Sequence, residues 1–178
     1  MDSKSLGTPS LDPQNVWSHF TLAVVLHNAH RYREARVVSE DARALDPASH
    51  ITEGNFADSL LASGQFEKAQ KECESPSTPM EEDDRHACMA VVYHYLGRQD
   101  DAKRELEKLI ALDGDSVAAE IAGIYAQLGK KTAALQWLTK AEQQHDSGLQ
   151  SLKIDWTLDP IRNEPQFKAI EKRMNFPP

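Results

Sequence analysis

Only two of the 178 residues are cysteine, Cys73 and Cys88, and they do not form a CxxC pair. No apolar leader-like stretch is legible in MDSKSLGTPSLDPQN at positions 1–15. Together these point to a reducing, cytoplasmic setting. Long apolar runs are missing as well: none approaches the ~20 residues that span a bilayer, so no membrane association is expected. Cations are in deficit, with Lys and Arg numbering 20 against 28 Asp and Glu for a net charge of −8. By segment, residues 1–75 carry −4, 76–146 carry −5 and 147–178 carry +1. Nothing basic forms a stripe, which argues against nucleic acid, because phosphate binding needs clustered Lys and Arg. The common catalytic signatures GxGxxG, GxxxxGK[ST], HExxH and GxSxG are also absent, so the chain is expected to be no enzyme and to carry no cofactor and no metal.

What is present suits a soluble folded chain. Forty per cent of residues are apolar and 27 per cent charged, an ordinary balance for one domain with a packed core. Small residues then recur at a fixed period. Ala23, Ala57, Ala90 and Ala122 are separated by 34, 33 and 32 positions, and Ala35, Ala69, Ala102 and Ala134 by the same three intervals. A third series, His30, Gly64, Gly97 and Gly129, falls between the other two. A helix hairpin repeated four times accounts for all three. The alanines allow two helices to approach closely, and the glycines sit where a left-handed residue ends the first helix without a Cβ penalty. His30, standing in for glycine, predicts a looser or mildly strained first turn. Helical spacing around the anchors agrees, as in Leu22, Ala23 and Leu26 or Ile121, Ala122 and Tyr125.

On these residues the chain resembles the tetratricopeptide repeat, most fully in LAVVLHNAHRYREARVVSEDARALDP from Leu22 to Pro47. The family's leading tryptophan is replaced by His19, Glu53, His86 and Ala118, and the second repeat loses its closing pattern at CESPSTP. The resemblance implies an all-α, right-handed α-solenoid of about four hairpins. Their spans are about 16–47, 50–76, 79–113 and 115–143 within residues 15–145, after a polar N-terminal segment at 1–14. Asp115 reads as an N-cap for the fourth repeat, and Thr78-Pro79-Met80-Glu81 as a capping box for the third. EEDD at 81–84 then falls in a first turn, where the helix dipole favours negative charge and no metal is needed.

The family holds a peptide or partner helix on a concave face lined by the first helix of each repeat. Carried over residue by residue, that register names Phe20, Val24, His27 and Asn28, then Asp58 and Leu61, then Val91, His94 and Tyr95, and finally Gln127. The resemblance thus implies a non-catalytic module with a protein or peptide partner. Members that clamp an acidic chaperone tail use a Lys/Asn/Arg set, whose positions here hold Phe20, Val24, Asn55, Ala87 and Val91, so a carboxylate clamp is not expected. His86, Cys88 and His94 are near in sequence, but separations of two and six residues do not gather them on one helix face, and a structural role is expected for Cys88 and His86.

After Ala141 the period breaks. Residues 146–178 are expected to cap the last hairpin, whose apolar face would otherwise meet water. Phe167, Ile170 and Met174 form one apolar stripe, with Asn163 as N-cap and Pro165 in the first turn. The segment resembles the closing part of bacterial tetratricopeptide arrays attached to adenylate cyclases, serine/threonine kinases and winged-helix regulators, through Leu149, Leu152, Asp155, Asp159-Pro160-Ile161-Arg162, Pro165, Phe167, Ile170 and Arg173-Met174. That implies a second reading, a regulatory segment whose effector lies elsewhere. At the other end, Val16, Trp17 and Phe20 start a helix with no cap before it, and this predicts self-pairing of two copies there.

Overall fold

The computed structural model describes residues 15–47, 50–76 and 80–176. Every regular element among them is helical. Four hairpins follow one another: α1 (Val16–Asn28) with α2 (Tyr32–Leu45), α3 (His50–Ala62) with α4 (Phe66–Glu74), α5 (Glu82–Tyr95) with α6 (Gln99–Asp113), and α7 (Ala118–Gln127) with α8 (Lys131–Gln144). Two short 3-10 helices, Ser147–Ser151 and Trp156–Ile161, lead to α9 (Pro165–Met174). The array is a helical solenoid of adjacent packed pairs.

Both alanine series lie at the pair contacts. Ala35, Ala69, Ala90, Ala102, Ala122 and Ala134 are fully buried, and Ala23 and Ala57 nearly so. Where two backbones meet across an alanine, an added side chain has no room. Ala90→Leu is therefore expected to cost about 1–3 kcal/mol through overpacking, read as a lower denaturant midpoint with an unchanged slope.

The turn within each hairpin is the same motif four times. His30, Gly64, Gly97 and Gly129 have φ of 57°, 77°, 78° and 71°. In each, the amide of that residue donates to the carbonyl three positions back, and the next amide reaches five back: Gly64 to Leu61 (2.9 Å) and Gln65 to Leu60 (2.8 Å), with His30 to His27 (2.9 Å) and Arg31 to Leu26 (2.9 Å) matching them. This paired closure satisfies the carbonyls that a helix end leaves orphaned. His30 holds the left-handed conformation despite its Cβ, and its ring bonds the Tyr32 hydroxyl.

Helix starts depart from the expected caps. Asp115 does not cap α7, whose N-cap is Val117; its carboxylate pairs instead with Lys140 at 2.7 Å. The free α7 amide at Ala119 donates to Asp146 of the tail (2.9 Å), a cap supplied from 27 residues away. α5 starts at Glu82 with Glu81 as a N-cap that makes no side-chain bond, while Thr78 and Pro79 lie outside the described residues. Glu82, Asp83 and Asp84 do occupy its first turn. α9 begins after Glu164, not Asn163, with Pro165 at the first position.

Cys73 and Cys88 form a disulfide, their Cα atoms 6.3 Å apart. Both are buried. The pair runs against the reducing setting expected from the two cysteines, since disulfides are rare in reducing compartments, and the spacing gave no hint of it, because α4 and α5 bring the two positions together only on folding.

Candidate functional site

The tail defines the site. Leu149, Leu152, Leu158, Ile161, Phe167 and Ile170 join Ala118, Ala122, Ala134, Leu138 and Ala141 in one buried cluster on the last hairpin. Lys131–Glu164 (2.8 Å) and the two-pronged Arg173–Glu142 pair fasten α9 to α8. Arg162 is committed internally: it donates to the carbonyls of Leu152 (2.9 Å) and Asp155 (2.6 Å) and to the Asp159 carboxylate (2.5 Å).

The same tail also reaches onto the face formed by the first helices, which the capping expectation missed. Trp156 enters the larger core cluster shared by α3, α5 and α7, and its indole N–H donates to Asp58 Oδ1 at 2.8 Å, 98 residues away. The Gln127 amide donates to the carbonyls of Trp156 (3.2 Å) and Thr157 (2.7 Å), and the Tyr95 hydroxyl donates to the Gln127 carbonyl at 2.5 Å. Gly123 permits the crossing, since a Cβ there would fall on the Thr157 hydroxyl. Gly123→Ala is thus expected to destabilise by about 1–3 kcal/mol, although alanine in a helix interior otherwise stabilises by about 0.5–1 kcal/mol; thermal unfolding reads the sign.

Beneath the tail lies a cavity of about 360 Å³. Its walls are apolar (Ala57, Leu61, Ala87, Val91 and Ile124), and its polar groups include four carboxyls: Asp58 on α3, Asp84 on α5, Glu120 on α7 and Asp155 on the tail. Among the described residues no Lys, Arg or His lines it. Glu120, partly buried, is pushed up to about 8 by loss of water and then by Asp84, Asp83, Asp155 and Asp58. Burial likewise raises Asp155, partly offset by bonds from the Thr157 hydroxyl and amide. Asp84, at the rim, is raised by burial of its carboxyl and by Asp83 and Glu81.

The sign of the resulting pH dependence follows. A carboxyl whose folded value exceeds its unfolded value holds its proton longer in the folded state, so stability falls as pH rises between the two. The melting temperature is expected to decline from about pH 5 to pH 8, and Glu120→Gln should flatten that decline.

The ten residues named by register are divided among several places. Asp58, Leu61 and Val91 line the main cavity. Val24, His27 and Asn28 line a neighbouring recess of about 220 Å³ on the other side of Asp58 and Trp156, where His27 pairs with Asp58 at 3.0 Å. Tyr95 and Gln127 line a third recess, with Leu61 shared. Phe20 packs edge-on against Trp17, and His94 bonds Gln99; neither lines any of the three. Asp84, Glu120 and Asp155 were not named from sequence. Glu120 lies one residue from Ala119 on a helix that looks uniformly apolar, and that charged interruption was the available signal.

His86 bonds Glu105 at 2.6 Å, and Cys88 is held in the disulfide. Among the described residues no group of three or more His, Cys, Asp and Glu is placed to hold a metal ion, and no helix is long and apolar enough to cross a membrane.

Stacked hairpins whose first helices surround a recess define the class of helical-repeat proteins that present a concave surface. A tetratricopeptide repeat model matches residues 89–116, the second half of α5, α6 and the turn beyond. Tetratricopeptide repeats serve in general as protein–protein interaction modules. No curated protein matches the chain, and the likeness of the tail to cyclase, kinase and winged-helix arrays finds no support.

Proposed function

We propose that the chain is a non-catalytic interaction module that docks a segment of a protein partner against the first helices of its second, third and fourth repeats. The observation that carries this is the cavity itself. Three successive first helices and the tail supply apolar walls with a few convergent polar groups, the composition of a binding recess. The tail narrows the concave face, so the partner engages the cavity under Trp156 and Thr157 and not the whole groove. Asp58, Leu61 and Val91 belong to that contact; His27, Asn28 and Gln127 act by holding its walls.

The test is capture of partners from lysate by the wild-type chain and by Val91→Trp, which fills the cavity from α5. Partners retained by both proteins alike would sink the proposal. For the N-terminal repeat we retain self-pairing through the end that begins with Val16, Trp17 and Phe20, where Trp17 is 62% exposed, and add Val25, 56% exposed on the same helix. A monomer by light scattering at high concentration would remove that reading.

A further inference from the structure

The cavity contains more than its apolar walls require. Glu120 lines it, partly buried, and its carboxyl makes no hydrogen bond or ion pair among the described residues. A carboxyl in such a place is costly unless a partner meets it. Around it stand Asp58, Asp84 and Asp155, from three other elements. Neighbouring basic side chains are directed elsewhere: His27 holds Asp58 from the adjoining recess, and Arg162 is spent on the tail carbonyls and Asp159. Apolar sides with carboxyls and no cation match a long aliphatic stem ending in a compact positive charge, the shape of a lysine side chain.

We propose that the cavity receives a lysine side chain of the partner segment, with its methylenes against Leu61, Val91 and Ile124 and its ammonium paired with Glu120. This rests on the interaction-module reading above and names the chemistry of the partner. Arrival of the ammonium ionises Glu120, whose carboxyl proton leaves to solvent, so binding releases a proton near neutral pH. Affinity should therefore rise with pH up to about 8, where Glu120 is already ionised. The charged and titratable groups that face Glu120 are Asp58 with its partner His27, Asp84 with Asp83 at the rim, and Asp155 beside Arg162.

The experiment is isothermal titration of the full chain with the capped tripeptide Leu-Lys-Leu, with the same peptide carrying norleucine for lysine, and with hexylamine. The lysine peptide should bind at least about tenfold more tightly than the norleucine peptide, and Glu120→Gln should abolish that difference while the protein stays folded. Apparent enthalpies in phosphate and in Tris should differ by the heat of one released proton. Equal affinity of the two peptides overturns the lysine assignment even where Val91→Trp still abolishes partner capture, so the two readings fail separately. Hexylamine binding as tightly as the lysine peptide overturns the assignment to a chain-borne lysine in favour of a free amine. A lysine preference that persists in Glu120→Gln overturns the role of that carboxyl.

Discussion

A chain ending at Leu158 should be largely unfolded or aggregated at temperatures where the full chain is stable. The deletion removes Ile161, Phe167 and Ile170, each almost wholly buried against the last hairpin, and each such side chain contributes about 1.5–3 kcal/mol when buried. It also removes the Arg162 brace on Leu152 and Asp155 and the ion pairs of α9 with α8. The sum approaches the whole stability of a domain, about 5–15 kcal/mol. Leu138, Leu149 and Leu152 would then face water, whereas Ile121 lies in the larger cluster. Circular dichroism and sedimentation would show the loss. A soluble truncated protein with an unchanged melting temperature would refute this account of the tail.

Trp156→Ala should be the most damaging single substitution, at about 3–5 kcal/mol, because the indole links the tail to α3, α5 and α7. Trp156→Phe separates the two contributions of that side chain. It keeps most of the buried area but leaves Asp58 without the indole N–H, a charge-assisted bond worth about 1.5–3 kcal/mol. The expected order of denaturant midpoints is wild type, then Phe, then Ala. The Phe variant falling to the Ala value would mean that the hydrogen bond, not the packing, dominates. Loss of partner capture in Trp156→Phe under conditions where the protein remains folded would tie the roof of the cavity to binding.

The hairpins themselves were legible in the sequence. Small residues at a constant separation of 12 between paired series and a glycine between them are local requirements: close helix approach needs alanine, and a left-handed turn needs glycine or a residue that tolerates its strain, as His30 does. The caps were less legible, because Ala119 takes its acceptor from Asp146, which no rule of local spacing can find. The disulfide was hidden for the same reason.

By itself the sequence determined the helical repeat, the places of its turns and the apolar stripe of α9, since each depends on residues within one or two turns of one another. Only the tertiary structure decided where the tail runs and therefore what the site is. A Trp–Asp contact across 98 positions and a Gln127 amide holding two tail carbonyls leave no periodic trace. Three carboxyls from α5, α7 and the tail share one cavity, with Asp58 a fourth, because hairpin stacking brings them there. The tail supplies Asp155, Trp156 and Thr157 to that lining, and only with it in place does Asp155 join the carboxyls that raise Glu120.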